Sequence, residues 1–161
     1  RISAENTGLT DISPLAGKLR LEAVFIGDSL VTDITPLKSA RGLRFLGCNE
    51  LQIGSLDALE GMTELETVCL AGCGLWSIQP LSSGKKLRNV YLGRNNVSDL
   101  SPLIGCDIAE MYLDLNKLNG NSEAFRGLTV HGFIVMNGNG YAQEDLEYIR
   151  STINGEADLE I

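Results

Sequence analysis

The sequence predicts an α/β solenoid, a stack of like units that each contribute one strand and one short helical turn, and three observations predict it. Ile12, Ile34, Leu56, Ile78 and Leu100 recur every 22 residues. Two positions after each comes Pro14-Leu15, Pro36-Leu37, Ala58-Leu59, Pro80-Leu81 and Pro102-Leu103, and a further step gives Ala124-Phe125. Leu21, Leu43, Leu65 and Leu87 open segments of the same spacing, with apolar residues at relative positions 0, 3 and 5. A period this regular marks a repeat array in which each unit buries its apolar face against its neighbours.

The strands come first in each unit. Leu21-Glu-Ala-Val24-Phe-Ile26, Leu43-Arg-Phe-Leu46-Gly-Cys48, Leu65-Glu-Thr-Val68-Cys-Leu70 and Leu87-Arg-Asn-Val90-Tyr-Leu92 alternate inward and outward residues at positions 3, 4 and 5, the signature of a strand with one buried face. Ile108-Ala-Glu-Met111-Tyr-Leu113 arrives one residue early, and Val130-His-Gly-Phe133-Ile-Val135 follows it by 22 residues. Aligned backward, Ile2 and Ala4 take positions 3 and 5 of an earlier strand, which gives seven strands and places the start of the chain partway through a unit. A stack left open exposes its core, so further repeats or a cap are expected N-terminal to a fragment of this kind.

After each strand, position 8 carries Ser29, Leu51, Cys73, Asn95, Asn116 and Gly138. Leu51 and Gly138 offer no side chain to satisfy buried backbone groups, and irregular turns are expected there. On the return stroke, Ser13-Pro14, Thr35-Pro36, Asp57-Ala58 and Ser101-Pro102 set an N-cap acceptor before a residue suited to the first helical position, which predicts a 3₁₀ turn; Gln79 is a poor cap. Asp11, Asp33 and Asp99, with Ser55 and Ser77 between them, form a column suited to turns and capping. The repeat dissolves after Met136, where Asn137-Gly138-Asn139-Gly140 reads as a turn. Residues 142 to 153 set Leu146, Ile149 and Ile153 at helical spacing before Asn154-Gly155. The organisation expected is therefore an array over 1–140 and a capping helix with a tail over 141–161.

Taken together, these columns resemble the leucine-rich repeat, L-x-x-L-x-L-x-x-N/C-x-L, from residue 2 to about 140, and the tail I-x-P-L is most similar to the internalin and phosphatase-regulator branch. The resemblance implies a right-handed superhelix with a parallel sheet on its concave side and 3₁₀ turns on its convex side. It also implies a noncatalytic module with a protein or peptide partner. Two other roles fit the same resemblance, an extracellular adhesion or spacer segment of a bacterial surface protein and a regulatory or targeting arm of a larger enzyme.

Composition narrows the classes of function. A net charge of -8 argues against nucleic acid, whose phosphates are bound by clustered Lys and Arg. No apolar run approaches the roughly 18 residues of a membrane span, so no membrane insertion is expected. The four cysteines fall in different columns: Cys48 in the core, Cys69 outward, Cys73 at the turn, Cys106 on the return stroke. Such placement suits reduced structural thiols rather than bridges and leans toward a reducing, intracellular setting. His131, the single histidine, would have to serve any Ser/His or Cys/His pair, and it lies on the last, irregular unit; neither catalysis nor a metal or cofactor site is expected. Asn96-Val97-Ser98 matches a glycosylation acceptor, yet the repeat itself requires Asn followed by an apolar residue.

What the repeat does not explain is its outward face. Position 4 reads Phe25, Gly47, Cys69, Tyr91, Tyr112 and Ile134, and position 2 reads Ala23, Phe45, Thr67, Asn89, Glu110 and Gly132. Aromatic side chains on an open strand face lack a core role and are enriched in binding hot spots. Arg94 stands on the rim at position 7, where other units hold Asp28, Glu50 and Gly72. Phe25, Phe45, Cys69, Tyr91, Tyr112 and Arg94 are accordingly the candidate partner-binding residues. Glu22, Arg44, Glu66 and Arg88 form an alternating ladder suited to stabilising the stack. Trp76, in a column shared with Thr32, Gly54 and Ser98, is either a convex-side contact or a plug between units.

Overall fold

The computed structural model describes residues 1–161. The inward residues of the repeat do what their spacing predicts: Leu43, Leu46 and Cys48, then Leu65, Val68 and Leu70, then Leu87, Val90 and Leu92 are all solvent-excluded. They join the Ile34–Leu37, Leu56–Leu59, Ile78–Leu81 and Leu100–Leu103 pairs of the return strokes in one continuous core that runs from Ile12 to Ile153. Each buried Leu or Ile contributes about 1.5 to 3 kcal/mol, and every internal unit is sandwiched between two others.

The chain forms eight parallel strands in strict sequence order: β1 (Ile2–Ser3), β2 (Ala23–Phe25), β3 (Phe45–Gly47), β4 (Thr67–Cys69), β5 (Asn89–Tyr91), β6 (Asp107–Tyr112), β7 (Thr129–Val135) and β8 (Asp158–Glu160). Like positions pair with like, as in Val24 with Leu46, Leu46 with Val68 and Val68 with Val90. Six 3₁₀ turns occupy the return strokes, beginning at Ser13, Thr35, Asp57, Gln79, Ser101 and Ser122. The one α-helix, α1 (Gln143–Thr152), buries Leu146 and Ile149 on the return-stroke side of the last unit. Beyond it the chain does not trail off. It returns to the sheet as β8, paired with β7, one strand more than the seven expected.

The capping arrangement differs from the expected one. Ser13, Thr35, Asp57 and Ser101 do not cap the turns; they are the first residues within them, and no residue preceding a turn makes a side-chain cap. The acceptors lie two residues earlier. Asp11, Asp33 and Asp99 accept from the backbone N–H of Ser13, Thr35 and Ser101 at 2.7, 2.7 and 2.8 Å, and Ser55 and Ser77 accept from Asp57 and Gln79 at 3.1 Å. Gln79 is thus no defect, because Ser77 does the capping. The hydrogen bonds also hold the carboxyls of Asp11 and Asp33 below the usual carboxylate range.

The last unit is displaced by one residue from its expected register. Val130 pairs with Ile108, but Glu110 pairs with Phe133, Met111 with Ile134 and Tyr112 with Val135. Gly132 sits in this bulge against the Ala109 carbonyl oxygen, where any Cβ would collide. Ile134 and Met136 are therefore buried, and Phe133 and Val135 face outward in the place assigned to Gly132 and Ile134. The shift also replaces Gly138 with Asn139 at position 8.

That substitution completes an amide ladder. Asn95 donates from Nδ2 to the Leu70 and Leu92 carbonyls, both at 2.8 Å, and accepts at Oδ1 from the backbone N–H of Cys73 and Leu75. Asn116 repeats the pattern on Leu92, Leu113 and Val97, and Asn139 on Leu113, Met136, Asn116 and Leu118. Each amide satisfies backbone groups that burial would otherwise leave unpaired. Cys73 extends the series more weakly, donating from Sγ to the Cys48 carbonyl at 2.9 Å. Leu51 cannot, and its turn bonds differently, through Gly54 N–H to the Cys73 carbonyl and Ile53 N–H to the Leu51 carbonyl.

Candidate functional site

Position 4 carries Phe25, Gly47, Cys69, Tyr91, Tyr112 and Val135 on successive strands, and register places each beside the next. All five large or sulfur-bearing candidates, Phe25, Phe45, Cys69, Tyr91 and Tyr112, are half-buried on this outward face. They do not form one uniform patch.

On the N-terminal half the rings are already engaged. Phe25 lies across Gly47, its ring carbon Cδ1 at 2.7 Å from where a Cβ would stand. The Arg1 guanidinium sits 5.2 Å from the centre of the Phe25 ring, and Arg44 sits 5.2 Å from that of Phe45. Arg44 also grips Glu66 with two hydrogen bonds of 2.8 and 2.9 Å, so the alternating ladder is realised at that step. The Glu66 carboxyl is held below its ordinary range by this arginine.

On the C-terminal half, Tyr91 and Tyr112 stack with ring centres 5.1 Å apart and planes 28° from parallel. Tyr91 donates its hydroxyl to Glu110 Oε2 at 2.5 Å, and that carboxylate, helped by desolvation, keeps the phenol protonated well above its ordinary range. The pair walls a shallow cleft of about 270 Å³ with Asn49, Cys69, Ala71, Gly93 and Asp114. Burial raises the Cys69 thiol, so it stays neutral.

Arg94 is exposed on the rim, but its guanidinium is not free. Nη1 lies 2.8 Å from Oε1 of Glu50, two units back. The link passes over Gly72, where a Cβ would stand 2.6 Å from Glu50 Oε2. Arg94 and Glu50 both adopt left-handed backbone angles, φ 58° and 59°, as do Asp28 and Leu115 in the same column. This shared turn geometry points the position-7 side chains along the rim. Solvent-exposed pairs of this kind contribute about 0 to 1 kcal/mol.

Sequence reasoning missed Phe133, which is 51% exposed at position 2 of β7. The signal was present in Asn139: aligning it with Asn95 and Asn116 yields the correct register. Trp76 is 70% exposed, which excludes a plug between units; it borders a hollow lined by Ser55, Ser77, Ser82 and Ser83. His131 Nε2 lies 3.2 Å from Asp107 Oδ1, both exposed, while the neighbouring Cys106 thiol points inward to the Gly84 carbonyl. All four cysteines are unbridged. No helix is long and apolar enough to cross a membrane.

Comparison with solved structures settles the architecture. Internalin C2 from Listeria monocytogenes superposes on 97% of the chain and 72% of its own length with a TM-score of 0.67 at 21% identity. The chain has the fold of a leucine-rich-repeat solenoid, similar to that of the internalins. A second Listeria monocytogenes internalin, InlF, matches the solenoid over 96% of the chain and 60% of its own length, with a TM-score of 0.59 at 18% identity. In sequence, the solenoid is 36% identical over 78 residues to mouse leucine-rich repeat-containing protein 56. That match takes in 48% of the chain and spans only 13% of the length of the mouse protein. No family model matches the sequence.

Proposed function

We infer that this solenoid is a noncatalytic protein-interaction module that takes a protein or peptide partner on its concave face, across Phe25, Phe45, Cys69, Tyr91 and Tyr112, with Arg94 on the rim as half of an ion pair. The observation that carries this reading is the stacked Tyr91–Tyr112 pair, two large rings set beside a cleft on an outward strand face where the core makes no use of them. Rigid aromatic side chains of low rotamer entropy are favoured as interface anchors. His131 pairs with Asp107 at 3.2 Å, and the thiol of Cys106, next to that aspartate in the chain, donates to the Gly84 carbonyl in the core.

Substitution separates this face from the fold. Tyr91→Ala and Tyr112→Ala are expected to weaken capture of a partner while leaving the melting temperature nearly unchanged. Leu92→Ala, which empties a core site, is expected to cost about 2 to 5 kcal/mol in stability. Intact capture in both tyrosine variants overturns the proposal. The likeness to two internalins favours a second reading, an adhesion or spacer segment of a bacterial surface protein; finding a leader and a wall anchor in the full-length chain would support it.

A further inference from the structure

We propose that the cleft on the C-terminal half of the concave face receives a basic side chain, an arginine or lysine of the partner, between the Tyr91–Tyr112 stack and the Asp114 carboxylate. This rests on the concave-face reading above and states what that face selects.

The two halves of the face differ in charge. Phe25 and Phe45 already carry cations of the chain itself, Arg1 and Arg44, each 5.2 Å from a ring centre. Tyr91 and Tyr112 carry none. Beside them stand two carboxylates, and neither belongs to an ion pair; the pairs in the structure involve other residues. Glu110 accepts the Tyr91 hydroxyl, which fixes the ring and keeps it neutral. Asp114 folds over Gly93, where a Cβ would lie 2.8 Å from its Cγ, so a glycine floor is what allows this carboxylate to lie along the cleft. Arg94, on the rim of the same face, is held by Glu50 and does not neutralise it.

A ring face attracts a cation through its quadrupole, and a carboxylate at the same mouth orients it. The cleft holds about 270 Å³, below the usual range of small-molecule and cofactor pockets and suited to one long side chain. With no cation lining it, an anionic group would enter against the Asp114 charge. The net charge of -8 attracts basic partners at long range.

The test uses a blocked tripeptide, acetyl-Gly-Arg-Gly-amide, and its citrulline counterpart, which keeps the shape and removes the charge. Titrated at millimolar concentration into isotopically labelled protein, the arginine peptide is expected to shift the ring resonances of Tyr91 and Tyr112 and the Gly93 amide, and the citrulline peptide to leave them in place. Asp114→Asn is expected to weaken arginine-peptide binding about tenfold. Glu144→Gln, an equal change of charge on the exposed side of α1, is expected to leave it nearly unchanged. Equal shifts from both peptides, equal effects of the two substitutions, or no tyrosine shift with arginine each overturn the proposal. If Tyr91→Ala abolishes partner capture and Asp114→Asn does not, the concave-face reading stands and the basic-side-chain assignment falls.

Discussion

Asn95 shows how much one side chain can hold in a stack this thin. Its amide satisfies two backbone donors and two carbonyls drawn from adjacent units. Removing it leaves the N–H groups of Cys73 and Leu75 buried without partners, at about 1 to 3 kcal/mol each. Asn95→Ala is therefore expected to lower stability by roughly 2 to 5 kcal/mol in urea denaturation. A loss as small as that of an exposed substitution would show that the ladder adds little to the stack. Asp11 and its column act at the same scale, since in the first five units a single carboxylate or hydroxyl, two residues before the return turn, supplies the first hydrogen bond of that turn. The chemical types in this column were legible in the sequence as capping residues; which backbone groups they serve was not, because an acceptor one or two positions away fits the same composition.

At the scale of elements, β7 decides the register of everything after it. The insertion at Gly132 brings Ile134 and Met136 inward and Phe133 outward, and it is possible only where no Cβ meets the Ala109 carbonyl. Gly132→Ala is expected to destabilise by at least about 2 kcal/mol, since the obstructing atom is backbone and cannot swing away. Gly8→Ala, where a Cβ meets nothing within 4 Å, is the matched control and is expected to stay within about 0.5 kcal/mol of the parent. Equal stabilities would show that the strand tolerates another register. The helix α1 was legible from the spacing of Leu146, Ile149 and Ile153. The strand β8 was not, because Asp158, Leu159 and Glu160 carry too few apolar residues to show a period and pair only through the edge that β7 presents.

For the molecule as a whole, stability depends on acids that burial keeps neutral. Burial pushes the Cys73 thiol up to about 11 from an ordinary 9.0. Cys48 and Tyr141 are displaced in the same direction by burial. The unfolded chain releases such protons first, so stability is fully present below pH 9 and is lost as pH rises through the folded-state values. The urea midpoint under reducing conditions is expected to fall between about pH 9 and 11, with Cys73 alone accounting for on the order of 2 kcal/mol. A flat profile would mean that these groups are hydrated in the folded state.

By itself the sequence determined the repeat, the burial of positions 0, 3 and 5, the 3₁₀ return strokes and the outward placement of Phe25, Phe45, Cys69, Tyr91 and Tyr112. It could do so because a 22-residue period constrains many side chains at once, and the repetitions up to β6 agree on the same inward and outward assignment. Only the tertiary structure decided the shifted register at Gly132, the pairing of Arg94 with Glu50, the exposure of Trp76 and the unequal halves of the concave face. Those features depend on where a side chain travels once neighbouring units are stacked, over Gly47, Gly72 or Gly93. Periodicity carries no information about contacts between units that do not repeat.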